Sequence, residues 1–182
     1  MKVDRPTIKT HVITYTAISA AVLCVLGPLT FPLPFSPVPV SLIQIGLYTS
    51  VFVLGTKMAI LSLTMYIFLG MMGLPVFAGF GGGPAVLAGP TGGYLIGYFF
   101  LILISGLFID KGNGNLTILL GMVAGTIACY AFGTVWLAIS TGRTFYEAML
   151  IGVAPYIIPD IAKAVLSLAV GQRAAALSRS TR

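Results

Sequence analysis

Residues 151–170 read IGVAPYIIPDIAKAVLSLAV: twenty residues, almost all apolar, with one acid, Asp160, and one base, Lys163, set inside them. A run of that length and character matches the hydrocarbon thickness of a bilayer crossed by a helix. A charge placed there costs several kcal/mol unless it is paired or faces a polar cavity, so its presence calls for a use. Three residues apart on a helix, Asp160 and Lys163 share one face, where they neutralise each other or jointly offer an acceptor and a donor. Pro155 and Pro159 just before them predict that the helix starts or kinks here, leaving the pair about one turn inside the membrane.

Working outward, the same reading repeats. Apolar runs between polar or Pro/Gly breaks predict spans at 12–29, 39–55, 58–73, 93–109, 115–140 and 151–170. The chain has 182 residues, 58% of them hydrophobic and 8% charged, with a mean hydropathy of +1.04, outside the range of soluble domains. The expectation is an all-α membrane protein, a six-helix transmembrane bundle forming a single domain over 1–182, with no cleavable signal peptide ahead of the first span. Gly55-Thr56-Lys57 is the sole break between the second and third runs, so these form either a tight hairpin or one bent helix.

Charge sets the expected orientation. The net charge is +6, yet the basic residues are scattered singly and form no aromatic-interleaved patch of the kind that binds nucleic acid. With both termini cytoplasmic, Lys2, Arg5, Lys9, Lys57, Lys111, Arg173, Arg179 and Arg182 all fall inside, and Arg143 alone falls in an outer loop. The two largest outer loops then carry the unusual sequence. Residues 28–39 hold five prolines, which discourage helix. Residues 74–92 are rich in glycine and also apolar; Phe77, Phe80, Val86 and Leu87 predict a loop that folds back over the bundle.

Other groups fall into place around these features. Gln44 in the second run, with Thr91 and Tyr94 at the head of the fourth, lies at a depth comparable to Asp160, and the three can converge with it on one pocket; Gln44 can equally satisfy a neighbouring helix. Cys24 and Cys129 read as small buried hydrophobes. Ala17-x-x-x-Ala21, Gly93-x-x-x-Gly97 and Gly121-x-x-x-Gly125 permit close helix approach, either within the chain or to a partner. The sequence has no phosphate-binding loop, so it cannot hydrolyse ATP by itself. His11 is the only histidine, which rules out a His-based triad or a two-His metal site. Asp4, Asp110 and Glu147 lie outside the apolar runs, so paired-carboxylate catalysis has no second buried acid. Transport or binding is expected, not enzyme catalysis. A stand-alone ion-coupled transporter using Asp160 as proton carrier, or a scaffold in which the pair is purely structural, are the alternatives these residues leave open.

Specific strings narrow the choice. Gly73-Leu74-Pro75-Val76-Phe77-Ala78, Gly89-Pro90-Thr91-Gly92-Gly93-Tyr94-Leu95-x-Gly97, Pro159-Asp160-x-x-Lys163, and Ser36-Pro37-Val38-Pro39-Val40 followed by Gln44 together resemble the BioY family over nearly the whole chain. The resemblance implies a six-helix S component of an energy-coupling factor (ECF) importer in a bacterial or archaeal cell membrane, capturing biotin from outside. It needs no cofactor of its own: a membrane scaffold subunit and two ATPase subunits supply ATP-driven energy. It also implies that Asp160 accepts from the ureido N–H groups and that Lys163 donates to the ureido carbonyl or to the carboxylate. Phe77 and Tyr94 would be apolar walls under a closing 74–92 loop, and Ala17 and Ala21 the motif that docks the scaffold. Ile158 departs from the pattern, standing where a Pro-Gly-Asp form would carry glycine.

Overall fold

The computed structural model describes residues 10–112 and 114–180. It is mostly helical. Six longer helices, α1 (Thr10–Leu26), α2 (Ile43–Leu54), α3 (Thr56–Met71), α5 (Gly92–Ile109), α6 (Asn115–Thr141) and α8 (Ile157–Ser180), are joined by two short ones, α4 (Pro84–Ala88) and α7 (Phe145–Gly152). Each predicted apolar run overlaps one of the six, though the last run, 151–170, is broken before Ile157 and its helix continues to Ser180. Three helical stretches, Gly92–Ile109, Asn115–Thr141 and Phe145–Ser178, are long and apolar enough to cross a bilayer, while α1, α2 and α3 are apolar but shorter. At 1.5 Å per residue α2 reaches only about 18 Å. Lys2, Arg5, Lys9, Asp4 and Arg182 lie outside the described residues.

The chain is not purely α. The proline-rich stretch that discourages helix forms an antiparallel hairpin, β1 (Thr30–Leu33) and β2 (Ser36–Ser41), with Thr30 opposite Ser41 and Phe31 opposite Val40. A two-stranded ribbon is all edge, so residues without an N–H can face away from the ladder, where no hydrogen bond is lost. This is also why the second apolar run yields a helix only from residue 43: its first part pairs as strand. At Gly55, φ is 77°, a conformation that suits glycine; α2 ends and α3 begins across it, and the two helices pack on each other as a tight hairpin.

Two of the three small-residue motifs are spent on internal packing. A Cβ on Gly97 would stand 2.8 Å from the Cys129 sulfur and 3.0 Å from the Cys129 carbonyl, and one on Gly125 would stand 2.7 Å from the Leu101 carbonyl. Gly93 gives its space to Trp136 and Gly121 to Phe108, so α5 and α6 touch almost along their whole length. Ala17 and Ala21 are different: both lie exposed on α1 beside Ile13, Ile18 and Val25.

The two ends of the bundle differ in character. At one, Asp110 accepts from the Thr56 amide at 3.2 Å and its hydroxyl at 2.5 Å, and Gln172 donates to Asn115 at 2.7 Å; Lys57, Lys111 and Arg173 belong to this end. The other carries the hairpin, the 73–92 loop, Arg143 and α7. There the loop does fold back. Phe77, fully buried, fills the notch left by Gly70 and meets the Tyr66 ring edge-on at 5.6 Å. Gly83 donates to the Gly70 carbonyl at 2.7 Å, and the Trp136 indole donates to the Gly89 carbonyl at 3.0 Å. Val86 and Leu87 are half-buried, but Phe80 stays exposed at positive φ.

Candidate functional site

Helix α8 begins at Ile157, and Pro159 fits its first turn, where an amide hydrogen has no partner to lose. Asp160 and Lys163 follow on the face turned toward α2, 7% and 8% exposed. Ile158, in the place where the resemblance expects glycine, is 81% exposed, so its side chain points away from this face and leaves the pair undisturbed. Burial of both charges is balanced by a closed set of contacts. The Lys163 ammonium stands 2.5 Å from Asp160 Oδ1 and donates to Gln44 Oε1 at 2.5 Å and to the Ser41 carbonyl at 2.9 Å. Asp160 Oδ2 accepts from Gln44 Nε2 at 3.0 Å and from the Tyr130 hydroxyl at 2.5 Å. Three oxygens therefore surround the ammonium, and Oδ2 is doubly hydrogen-bonded, whereas Oδ1 has the charge of Lys163 beside it but accepts no hydrogen bond.

Gln44 is thus part of the cluster, and the structure brings three predicted residues, Asp160, Lys163 and Gln44, into direct contact. Tyr94 lines the same cavity as these three, whereas Thr91, expected to converge with them on one pocket, lines only the neighbouring cavity. Two small cavities of about 40 Å³ each lie under β2. One is lined by Gln44, Asp160, Lys163, Tyr130 and Tyr156; the other by Phe77, Thr91, Val86 and Tyr66. Val38, Pro39, Ser41, Tyr94 and Tyr98 border both, so the cavities are neighbours under a single roof. Each has room for about one water molecule. Phe77 lines the second cavity and Tyr94 both, and each is also an anchor: Tyr94 donates from its hydroxyl to the Gly152 carbonyl at 3.0 Å. The roof is tied to the head of α8, because the Tyr156 hydroxyl donates to the Val38 carbonyl and is hydrogen-bonded to Ser36 Oγ at 2.9 Å.

Four participants were not foreseen. Tyr98 follows Tyr94 by one helical turn, a spacing that places it on the same face and could have been noticed. Tyr130 and Tyr156 carry no signal beyond being tyrosines among apolar residues. Ser41 enters through its backbone carbonyl, which no side-chain pattern reveals. Cys129 is free, buried and borders the first cavity, while Cys24 is free and half-buried. Ala17 and Ala21 stand on the α1 surface, away from the cavity linings. Among the described residues no group of three His, Cys, Asp or Glu side chains is placed to hold a metal ion. The arrangement can recognise a neutral ligand bearing an N–H donor and a carbonyl acceptor side by side, since Asp160 and Lys163 present the complementary pair 2.5 Å apart.

The BioY family model matches residues 1–180. A probable biotin transporter BioY of Pyrococcus horikoshii is 40% identical over 137 residues, 75% of this chain and 80% of that protein. The biotin transporter BioY of Thermotoga maritima is 37% identical over 141 residues, 78% of this chain and 83% of that protein. Among solved structures, the S-component for biotin from an ECF-type ABC transporter superposes with a TM-score of 0.84 at 28% identity, covering 94% of each chain.

Proposed function

This chain belongs to the BioY family, a family of transporters and not of enzymes, and on that premise we propose that it is the biotin-binding S component of an ECF-type ATP-driven importer. The observation that carries the reading is the Asp160–Lys163–Gln44 cluster buried at the looped end of the bundle. Biotin's ureido ring holds N–H groups next to a carbonyl. Asp160 accepts from the N–H and Lys163 donates to the carbonyl, each giving up the contact it now makes with Gln44. The thioether ring and the aliphatic tail take the apolar walls from Phe77, Tyr94 and Tyr98, with Thr91 at the rim. Because the cavities are smaller than the vitamin, the 73–92 loop and the hairpin part to admit it and close behind it.

The six longer helices form one domain that crosses the bilayer six times with both termini cytoplasmic. Short α1, α2 and α3 are supplemented at this end by the hairpin and loop, which rest on the bundle through the buried Val38 and Phe77. The basic residues Lys57, Lys111 and Arg173 at the opposite end of the bundle from the cluster support this orientation, in which the cluster lies toward the outside. Energy comes from partners: the exposed Ala17 and Ala21 offer a flat stripe on which the ECF scaffold subunit can seat a helix, and two ATPase subunits act through it. The stand-alone proton-coupled alternative is not favoured, because Asp160 is held by a lysine, a glutamine and a tyrosine instead of facing an open proton path.

Calorimetry of detergent-purified protein with biotin tests the binding role, and uptake into vesicles with and without the ECF subunits and ATP tests the coupling. No heat of binding would sink the first; uptake without ATPase partners would sink the second. Ala17→Leu with Ala21→Leu leaves biotin binding intact while abolishing uptake in the assembled transporter.

A further inference from the structure

A groove of about 380 Å³ runs along the flank of the bundle between α6, α7 and α8. Its walls are apolar, with Ile127, Phe145, Met149, Ile157 and Ile161 exposed along it, so in a bilayer it faces hydrocarbon. Asp160 lines its floor. Among the described residues just two, Asp160 and Tyr130, line both this groove and the small cavity on the far side of the carboxylate. A carboxylate with one side open to acyl chains would be costly and poorly fixed. Tyr130 answers both problems with one side chain: an apolar ring suited to the groove and a hydroxyl placed 2.5 Å from Oδ2.

We propose that Tyr130 is a positioning residue for ligand recognition: its hydroxyl fixes the Asp160 carboxylate in the orientation that receives the ligand, and its ring separates the binding cavity from the membrane-facing groove. The inference rests on the biotin-binding reading. Gln44 also donates to Oδ2, but at 3.0 Å and while accepting from Lys163, so it is committed to the opposite side of the carboxylate. Lys163 controls Oδ1. Without Tyr130's hydroxyl, nothing on the α6 side opposes rotation of the carboxylate toward the lysine, and the ureido N–H meets a misaligned acceptor.

The test uses full-length protein in detergent or nanodiscs. Tyr130→Phe keeps the ring and removes the donor; biotin affinity by calorimetry is expected to fall about 10-fold, in line with loss of one hydrogen bond to a charged group. The chain has four acidic side chains in all, so the Asp160 carboxylate stretch can be assigned in the infrared spectrum by its loss in Asp160→Asn. That band is expected to shift in Tyr130→Phe, already in ligand-free protein. Ile127→Ala, which alters the groove wall alone, moves neither affinity nor band. Unchanged affinity with an unshifted band in Tyr130→Phe overturns the proposal, and so does an equal loss in Ile127→Ala, which would assign the effect to groove packing. Should Tyr130→Phe fail to fold, Tyr130→Leu is read by the same two measurements in folded protein: a displaced band with weakened binding supports the role, and an unshifted band with unchanged affinity overturns it. A wild type that binds no biotin would instead defeat the functional reading while leaving the infrared result to stand.

Discussion

The α5–α6 seam and the α2–α8 seam hold the same bundle together by opposite means. Along α5 and α6, missing side chains let one helix rest against another's backbone: Gly97 on Cys129, Gly125 on Leu101. Between α2 and α8, polar side chains meet across the gap, Gln44 with Asp160 and Lys163. Even that second seam changes along its length, since farther down α8 Gly171 gives its space to the Phe52 ring of α2. Backbone contact has no alternative partner, so such a seam is permanent. Hydrogen bonds can be traded for others of equal quality, so the polar stretch is where a ligand can enter without the bundle coming apart.

The contrast breaks most sharply at Lys163. Lys163→Met leaves Asp160 buried and unpaired, and thermal unfolding is expected to show a loss of about 3–5 kcal/mol. Combining it with Asp160→Asn removes both charges and should recover much of that stability while biotin binding remains lost; a double variant that still bound would show that the polar seam is structural. Next comes the glycine seam. Gly97→Leu forces side-chain atoms into the Cys129 backbone and should cost about 3 kcal/mol, seen as a lowered melting temperature that added biotin cannot fully restore. Gln44→Ala is milder, because Asp160 keeps Lys163 and Tyr130; calorimetry should show a drop in biotin affinity of about 10-fold with little change in melting. The smallest effect belongs to the connection between the two seams. Thr144 caps α7, accepting from the Glu147 amide at 3.3 Å while the Glu147 carboxylate accepts from the Thr144 amide at 3.0 Å. Thr144→Ala should cost about 1 kcal/mol and leave binding alone, which separates the stability of α7 from the chemistry beside it.

Much of this was legible in the sequence, and the boundary of legibility has a physical cause. The run at 115–140 became α6 within a residue, and 93–109 became α5, because a long apolar stretch free of proline has one good solution in a membrane. The run from 39 was cut to a start at 43, since valine alternating with proline reads as apolar yet pairs as strand. For the site, Asp160, Lys163 and Gln44 announced themselves as polar groups where polarity is expensive. Tyr130 did not, because a tyrosine in a membrane helix pays little for its ring and gives no hint of where its hydroxyl points. The Ser41 carbonyl is beyond any reading of side chains. The small-x-x-x-small spacings were seen, but spacing cannot say which are covered; Gly93, Gly97, Gly121 and Gly125 are, while Ala17 and Ala21 are bare.

The anchoring of the 73–92 loop carries a further consequence. Phe77 is sunk against Gly70, Gly83 is bonded to the end of α3, and Gly89 is held by Trp136, so the loop is fastened in its first third, at its middle and near its end. It cannot swing as one flap; movement is confined to the short stretch from Gly83 to Gly89 that contains α4, with the hairpin yielding opposite. A passage that narrow slows departure as much as arrival. Tightness of capture would then be expressed chiefly as a long dwell time, and the Trp136–Gly89 bond becomes a clock: loosening it shortens the stay of the ligand and leaves the groups that recognise it unchanged.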